Sequence, residues 1–198
     1  VTEFIISSII FLLRNMSEMN HHLNKKKWRP IIGKSLSETT IGIIGFGKIG
    51  SLLSSKLIKL GIKKILIHDK KKFKDKFKLK FFSKKYLLEN SDIISLNIEL
   101  NEKTNNFISY KEINLMKKNV YIINTSRGKV INEKSLEHGL KNLKIRGILL
   151  DVFEKEPYNG PLINYPNVFL TPHISSFTVS SRREMENEAI ENLIKHLN

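Results

Sequence analysis

At 198 residues and 40% hydrophobic content, the chain is long enough to bury one sizeable core and short for two. It has no cysteine, which excludes disulfides, thiolate metal sites and cysteine nucleophiles and suits a reducing compartment, so a cytoplasmic location is expected. The 34 Lys and Arg against 19 Asp and Glu leave a net charge of +15, which raises nucleic-acid binding as a reading to weigh; the basic residues are mostly Lys spread along the chain, with no recognised RNA- or DNA-binding motif.

The chain opens on Val1 rather than Met, so its start is expected upstream and the sequence reads as a fragment. FIISSIIFLL, at 4–13, follows Glu3 and is too short to cross a bilayer, which predicts a buried helix within a separate helical segment over 1–20. WRPIIGK, at 28–34, is expected to be a connector.

From residue 40 onward short apolar runs alternate with helical patterns, the signature of repeated βαβ units. Strands are predicted at 40–44 (TIGII), 65–69 (ILIHD), 93–98 (IISLNI), 120–124 (VYIIN), 146–150 (RGILL) and 168–170 (VFL). Six such strands fit one α/β, doubly wound parallel sheet. Between the first two, Ile49, Leu52, Leu53, Leu57 and Leu60 predict the apolar face of a helix that Gly61 stops. Further helices are predicted over 110–117, 133–143 and 178–197. The run KKKFKDKFKLKFFSKK, at 70–85, carries nine Lys with interleaved Phe and reads as a solvated, Lys-rich helix or loop.

IGIIGFGKIG, at 41–50, places Gly45, Gly47 and Gly50 in G-x-G-x-x-G spacing after a strand and at the opening of a helix. Gly45 permits a tight turn, Gly47 lets the backbone approach a pyrophosphate, and Gly50 allows close helix–strand packing. Three glycines alone would be weak, but the second strand ends in Asp69, where a carboxylate can accept hydrogen bonds from both ribose hydroxyls. Dinucleotide binding is therefore expected. Asp69 favours NAD over NADP, although Lys70, Lys71 and Lys72 could neutralise a 2′-phosphate.

Ligands of doubly wound sheets bind outside the carboxyl ends of the strands. Those ends carry NTSRG (124–128), DVFEKEP (151–157) and TPHIS (171–175), bringing an Arg, acids and a His to one edge. Hydride transfer to a 2-oxo acid needs a cation for the substrate carboxylate, an acid for the developing alkoxide and an orienting partner for that acid. Arg127, His173 and one of the three acids Asp151, Glu154 and Glu156 suit these roles. No metal is expected.

TIGIIGFGKIG, SDIISLNIEL, INTSRGKVINEKSL, LLDVFEKEP and PNVFLTPHIS together resemble the D-isomer-specific 2-hydroxyacid dehydrogenase family, in its order, over almost everything after residue 33. The resemblance implies a Rossmann-type NAD-binding domain over 31–176, preceded over 1–30 by a hinge helix left from a substrate (lid) domain and followed over 177–198 by a C-terminal helix. It implies that Glu156 partners the catalytic His173, that Arg127 binds the substrate carboxylate and that Asp151 lies near the nicotinamide amide, with Glu154 given no role. Lys48 and Ile49 would contact the pyrophosphate through the loop backbone, and Ile98, Thr125 and Ser126 would line the cofactor. The implied ligands are NAD, with NADP as the alternative, and a small 2-hydroxy or 2-oxo acid, and the implied assembly is a homodimer. Glu99 departs from a frequent Pro, and Ser175-Ser176 from a frequent small pair.

With its lid absent, the isolated chain is expected to bind cofactor and turn over poorly. Two other readings are an NAD(H)-sensing regulatory protein of the same fold, and a nucleic-acid binder driven by the 70–85 run; neither nucleic acid nor a membrane is an expected partner.

Overall fold

The computed structural model describes residues 1–70 and 79–197. The middle of the Lys-rich run, 71–78, lies outside the described residues. Six strands form one parallel sheet: β1 (Thr40–Ile44), β2 (Lys64–His68), β3 (Ile93–Leu96), β4 (Val120–Asn124), β5 (Ile145–Leu150) and β6 (Val168–Leu170), in the spatial order β2-β1-β3-β4-β5-β6. Outside β2, Phe81 forms an isolated parallel bridge to Ile67, and the Phe82 N–H donates to the Ile67 carbonyl at 2.7 Å. This vestige extends the edge beyond the six predicted strands. It sits within the Lys-rich run, where charge hides the short pairing.

Side chains alternate across the sheet, so each strand feeds two cores. Ile41, Ile43, Ile67, Ile123 and Leu149 pack in the layer of α1 (Thr2–Leu13) and α3 (Lys48–Lys59). Ile44, Ile94, Ile122, Ile148 and Leu150 pack in the layer of α4 (Lys84–Asn90), α5 (Tyr110–Leu115) and α6 (Glu133–Lys141). Burial on both faces explains why the strands read as continuous apolar runs. A final helix, α7 (Val179–Leu197), follows β6.

The expected helix over 1–20 is two helices, α1 and α2 (Met16–Asn24), because Asn15 turns left-handed at φ 50°. Asn is among the residues that tolerate this region. The break has a tertiary cause: the Tyr121 hydroxyl reaches Asn15 Oδ1 at 3.3 Å, and Arg146 pairs with Glu18 at 2.6 Å, tying α2 to the sheet. The buried helix predicted from FIISSIIFLL is present, with Ile5 and Ile9 fully enclosed.

Gly61 stops α3 with φ 85°, as expected, but the apolar face is different from that predicted. Gly50, Leu53, Ser54 and Leu57 are buried, whereas Ile49, Leu52 and Leu60 are substantially exposed. The helix rotates so that Gly50 lies against the glycine loop, and hydrophobicity alone does not carry that requirement. Helix α4, which the sequence reading did not predict and which overlaps only the end of the 70–85 run, is capped by Ser83, whose Oγ accepts the Tyr86 N–H at 3.2 Å.

At the amino edge of the sheet Asp92 joins neighbouring strands. Its Oδ2 accepts the Thr40 N–H at 2.9 Å, while Lys117 and Lys34 approach Oδ1 at 3.4 and 3.6 Å. Burial pushes this carboxyl up, but the Thr40 bond and the two lysines outweigh it and hold it below the usual carboxylate range. A lowered folded value contributes stability that is full above the unfolded pKa, near ~3.9, and is lost as pH falls through the folded value. Asp92→Asn is expected to lower Tm at pH 7, with the difference from wild type shrinking below about pH 4. Melts followed by circular dichroism between pH 7 and 3 check this; a constant difference would mean that Asp92 acts by shape alone.

Candidate active site

The sheet order places the topological switch between β1 and β3, where the chain leaves β1 for β2 on one side and returns to β3 on the other. A crevice at their carboxyl ends is the general consequence. The three glycines of the β1–α3 loop meet three different demands there. Gly45 adopts φ 95°, and a β-carbon on it would run into the Asn97 carbonyl. A β-carbon on Gly50 would run into the Gly45 carbonyl. Around Gly47 nothing lies within 4 Å of where a β-carbon would stand, so its missing side chain leaves space for a ligand rather than for the protein. Lys48 and Ile49 open α3, whose N-cap Gly47 supplies no side-chain bond to the first turn. Those backbone donors suit a diphosphate.

Asp69 follows β2 and reaches back to the loop, its Oδ2 accepting the Phe46 N–H at 2.7 Å. A cavity of about 310 Å³ runs from Gly45, Gly47 and Asp69 to Ile98, Glu99 and Phe107. A second cavity continues along Ile49, Ile98, Thr125, Ser126 and Arg127. Of the residues predicted for the cofactor, Gly45, Gly47, Ile49, Asp69, Ile98, Thr125 and Ser126 line two adjoining hollows that share Asn97, Ile98 and Glu99, whereas Lys48, Gly50 and Asp151 line neither. The lining fits a long, two-ended ligand with a charged middle.

Asn124, which the sequence reading passed over, shapes the Arg127 turn. Its Oδ1 accepts the Ser126 N–H and hydroxyl at 3.0 and 2.8 Å, and its Nδ2 donates to the Arg127 carbonyl at 3.0 Å. An Asn closing a strand ahead of Thr-Ser is a readable turn signal. Arg127 donates to the Ser126 carbonyl at 2.7 Å and makes no hydrogen bond to His173 or Glu156. The two loops meet through Gly128 instead: a β-carbon there would overlap the backbone of Phe153 and Glu154.

His173 and Glu156 are brought together, with Nδ1 3.2 Å from Oε2. The other Glu156 oxygen accepts the Phe153 N–H at 3.1 Å. An ionised carboxylate only accepts, so in this pairing Nδ1 carries the hydrogen and Nε2 is left to serve as the other ring atom for a ligand. Both side chains line a hollow of about 630 Å³ with Phe153, Tyr158, Ile163 and Leu170.

His173 sits in the left-handed region at φ 56°, a conformation that costs about 1–3 kcal/mol and needs support. Asp151 provides it. Fully buried, it accepts the Thr171 hydroxyl at 2.6 Å, the Ile174 N–H at 2.7 Å and the Ser175 N–H at 2.8 Å. Asp151, expected near the nicotinamide amide, thus directs both oxygens to the loop that carries His173.

Glu154, to which no role was attached, accepts the Glu133 N–H at 2.9 Å at the start of α6, and Glu133 accepts the Glu154 N–H at 2.8 Å. Burial, with Glu154 nearby, pushes the Glu133 carboxyl up. The three acids of DVFEKEP therefore divide into a loop anchor, a helix cap and the partner of His173. Among the described residues no cluster of His, Cys, Asp or Glu could hold a metal ion, and no helix is long and apolar enough to cross a membrane.

Residues 6–175 match the family described as D-isomer specific 2-hydroxyacid dehydrogenase, NAD binding domain. A glyoxylate reductase of Thermofilum pendens is 36% identical over 98% of this chain and 60% of its own length. The D-2-hydroxyisocaproate dehydrogenase structure superposes with a TM-score of 0.93 at 28% identity, over 100% of this chain and 65% of that one. The D-lactate dehydrogenase of Aquifex aeolicus, solved with NAD and lactic acid, gives 0.90 at 28% identity, over 99% and 65%. The chain thus spans roughly three fifths of the length of such relatives. With the family's NAD-binding domain matched over residues 6–175 and a relative 36% identical over 98% of the chain, the chain belongs to the D-isomer-specific 2-hydroxyacid dehydrogenases.

Proposed function

We propose that the protein carrying this chain interconverts a D-2-hydroxy acid and its 2-oxo acid with NAD(H). The observation that carries the reading is the 3.2 Å contact of His173 Nδ1 with Glu156 at the edge of the dinucleotide crevice. NADH, when bound, supplies the hydride. His173 Nε2 gives its proton to the carbonyl oxygen as the alcohol forms and takes it back in the oxidative direction. Glu156 holds the ring in the tautomer that presents Nε2 and offsets the imidazolium charge. Arg127 offers its planar fork to the substrate carboxylate, a geometry that lysine lacks. Gly128, packed on the 153–154 backbone, keeps the Arg127 and Glu156 loops in one frame.

The cofactor preference follows from Asp69, whose charge opposes a 2′-phosphate and accepts from free ribose hydroxyls. Titration with NADH and NADPH, followed by nicotinamide fluorescence, is expected to show saturable binding that favours NADH. Asp69→Ala is expected to remove about tenfold of that preference, the equivalent of ~1.4 kcal/mol. An unchanged preference in the variant would assign discrimination to other residues.

A further inference from the structure

We infer that Glu133 and Glu154 are positioning residues for the reaction proposed above, setting the separation between Arg127 and the His173–Glu156 pair through two reciprocal bonds to backbone. The inference rests on that reading, because the separation matters only if one substrate bridges the guanidinium and the imidazole.

Arg127 and Glu156 stand on different loops, after β4 and β5, and make no hydrogen bond to each other. The strands are joined at their ends, where the Asp151 N–H donates to the Asn124 carbonyl at 3.0 Å. The loops meet again at the Phe153–Glu154 peptide. Gly128 packs so closely against it that a β-carbon would overlap the Phe153 carbonyl, and the N–H of the same peptide donates to Glu133 Oε1 at 2.8 Å. In return, Glu154 Oε1 accepts the Glu133 N–H at 2.9 Å.

Both acids lie close to the reacting groups along the chain of bonds. Toward Arg127, a tight turn leads back from Glu133: the Arg127 carbonyl accepts the Val130 N–H at 3.2 Å, and the Gly128 carbonyl accepts the Ile131 N–H at 3.0 Å. Toward His173, the Phe153 N–H donates to Glu156 Oε1 at 3.1 Å, and the other oxygen of Glu156 holds the imidazole at 3.2 Å. The two glutamates close the path between these halves.

A plain helix cap does not account for the pair. Helix α6 already has a cap in Asn132, whose Oδ1 accepts the Ser135 N–H at 3.0 Å. The reciprocal arrangement keeps two carboxylates near each other, with burial working against the Glu133 charge, where a cap needs one acceptor. Bonds from backbone N–H to a carboxylate are stronger than neutral ones, and a misplacement of about 1 Å between reacting groups can cost ~10²-fold in rate.

The test uses the full-length protein and a panel of 2-oxo acids from glyoxylate to phenylpyruvate and 2-oxoglutarate, at a temperature where circular dichroism shows every variant folded. Glu133→Ala and Glu154→Ala are each expected to lower kcat about tenfold, with NADH affinity within about twofold of wild type. Oxamate, whose carboxylate suits Arg127 and whose carbonyl suits His173, should bind about fivefold more weakly to both. Glu133→Gln and Glu154→Gln keep a carbonyl acceptor for the N–H and should stay within about threefold of wild type. Glu137→Ala, on the same helix, should leave kcat unchanged. A kcat within twofold of wild type in both Ala variants overturns the inference. So does an equal loss in the Gln variants, which would make the effect one of charge, and so does a matching loss of NADH binding or of kcat in Glu137→Ala, which would mark a general loosening of the domain. If wild type reduces no acid of the panel, the functional reading fails first and the inference falls with it, an outcome distinct from the others.

Discussion

His173→Ala is expected to lower kcat for 2-oxo acid reduction by about 10³-fold in the full-length protein, within the range that a positioned acid or base contributes. The affinity for NADH should stay within about twofold, because His173 lines the hollow with Glu156 and not the two hollows beside the glycine loop. Glu156→Gln should be milder, about 10²-fold, since the amide still accepts from Nδ1–H but no longer offsets the imidazolium charge. Stopped-flow turnover at saturating NADH, with nucleotide affinity measured in parallel, separates these effects. A comparable loss of NADH binding in His173→Ala would place the imidazole in the cofactor site and remove it from the proton-transfer role.

Asp151→Ala is expected to destabilise the fold by about 3 kcal/mol, since it strands the Thr171 hydroxyl and the N–H groups of Ile174 and Ser175 in a dry environment. For a domain of this size that corresponds to a fall of about 6–12 °C in Tm. Asp151→Asn is the sharper variant. Its oxygen can keep the bonds to Thr171 and Ile174, but its amide nitrogen then faces the Ser175 N–H, donor against donor, and a loss of about 1–2 kcal/mol is expected. The same change loosens the support for the left-handed backbone at His173, so turnover should fall further than stability predicts while NADH affinity holds. Thermal melts and nucleotide titration on the two variants check this; a Tm within 2 °C of wild type in Asp151→Ala would mean that water or a rearranged loop replaces the carboxylate.

Much of this molecule is legible in its sequence because the signals are local. Runs such as TIGII and VYIIN are mostly apolar and buried at every position since both faces of the sheet are covered, and the glycine spacing marks a turn whose φ at Gly45 few other residues adopt. The convergence of NTSRG, DVFEKEP and TPHIS follows from parallel order alone, because every strand of a parallel sheet ends at the same edge.

The tertiary structure decided what depends on partners distant in the chain. Periodicity could not show that Asn15 breaks the first helix to meet Tyr121, 106 residues away, or that α3 turns Gly50 rather than Ile49 to the core. Nor could spacing separate three acids within six positions. Asp151 becomes a buried loop anchor, Glu154 a helix cap and Glu156 the partner of His173 only once β6 lies beside β5 and the start of α6 meets Glu154. A carboxylate's role is set by the donors that surround it, and donors from distant segments meet only in the folded chain.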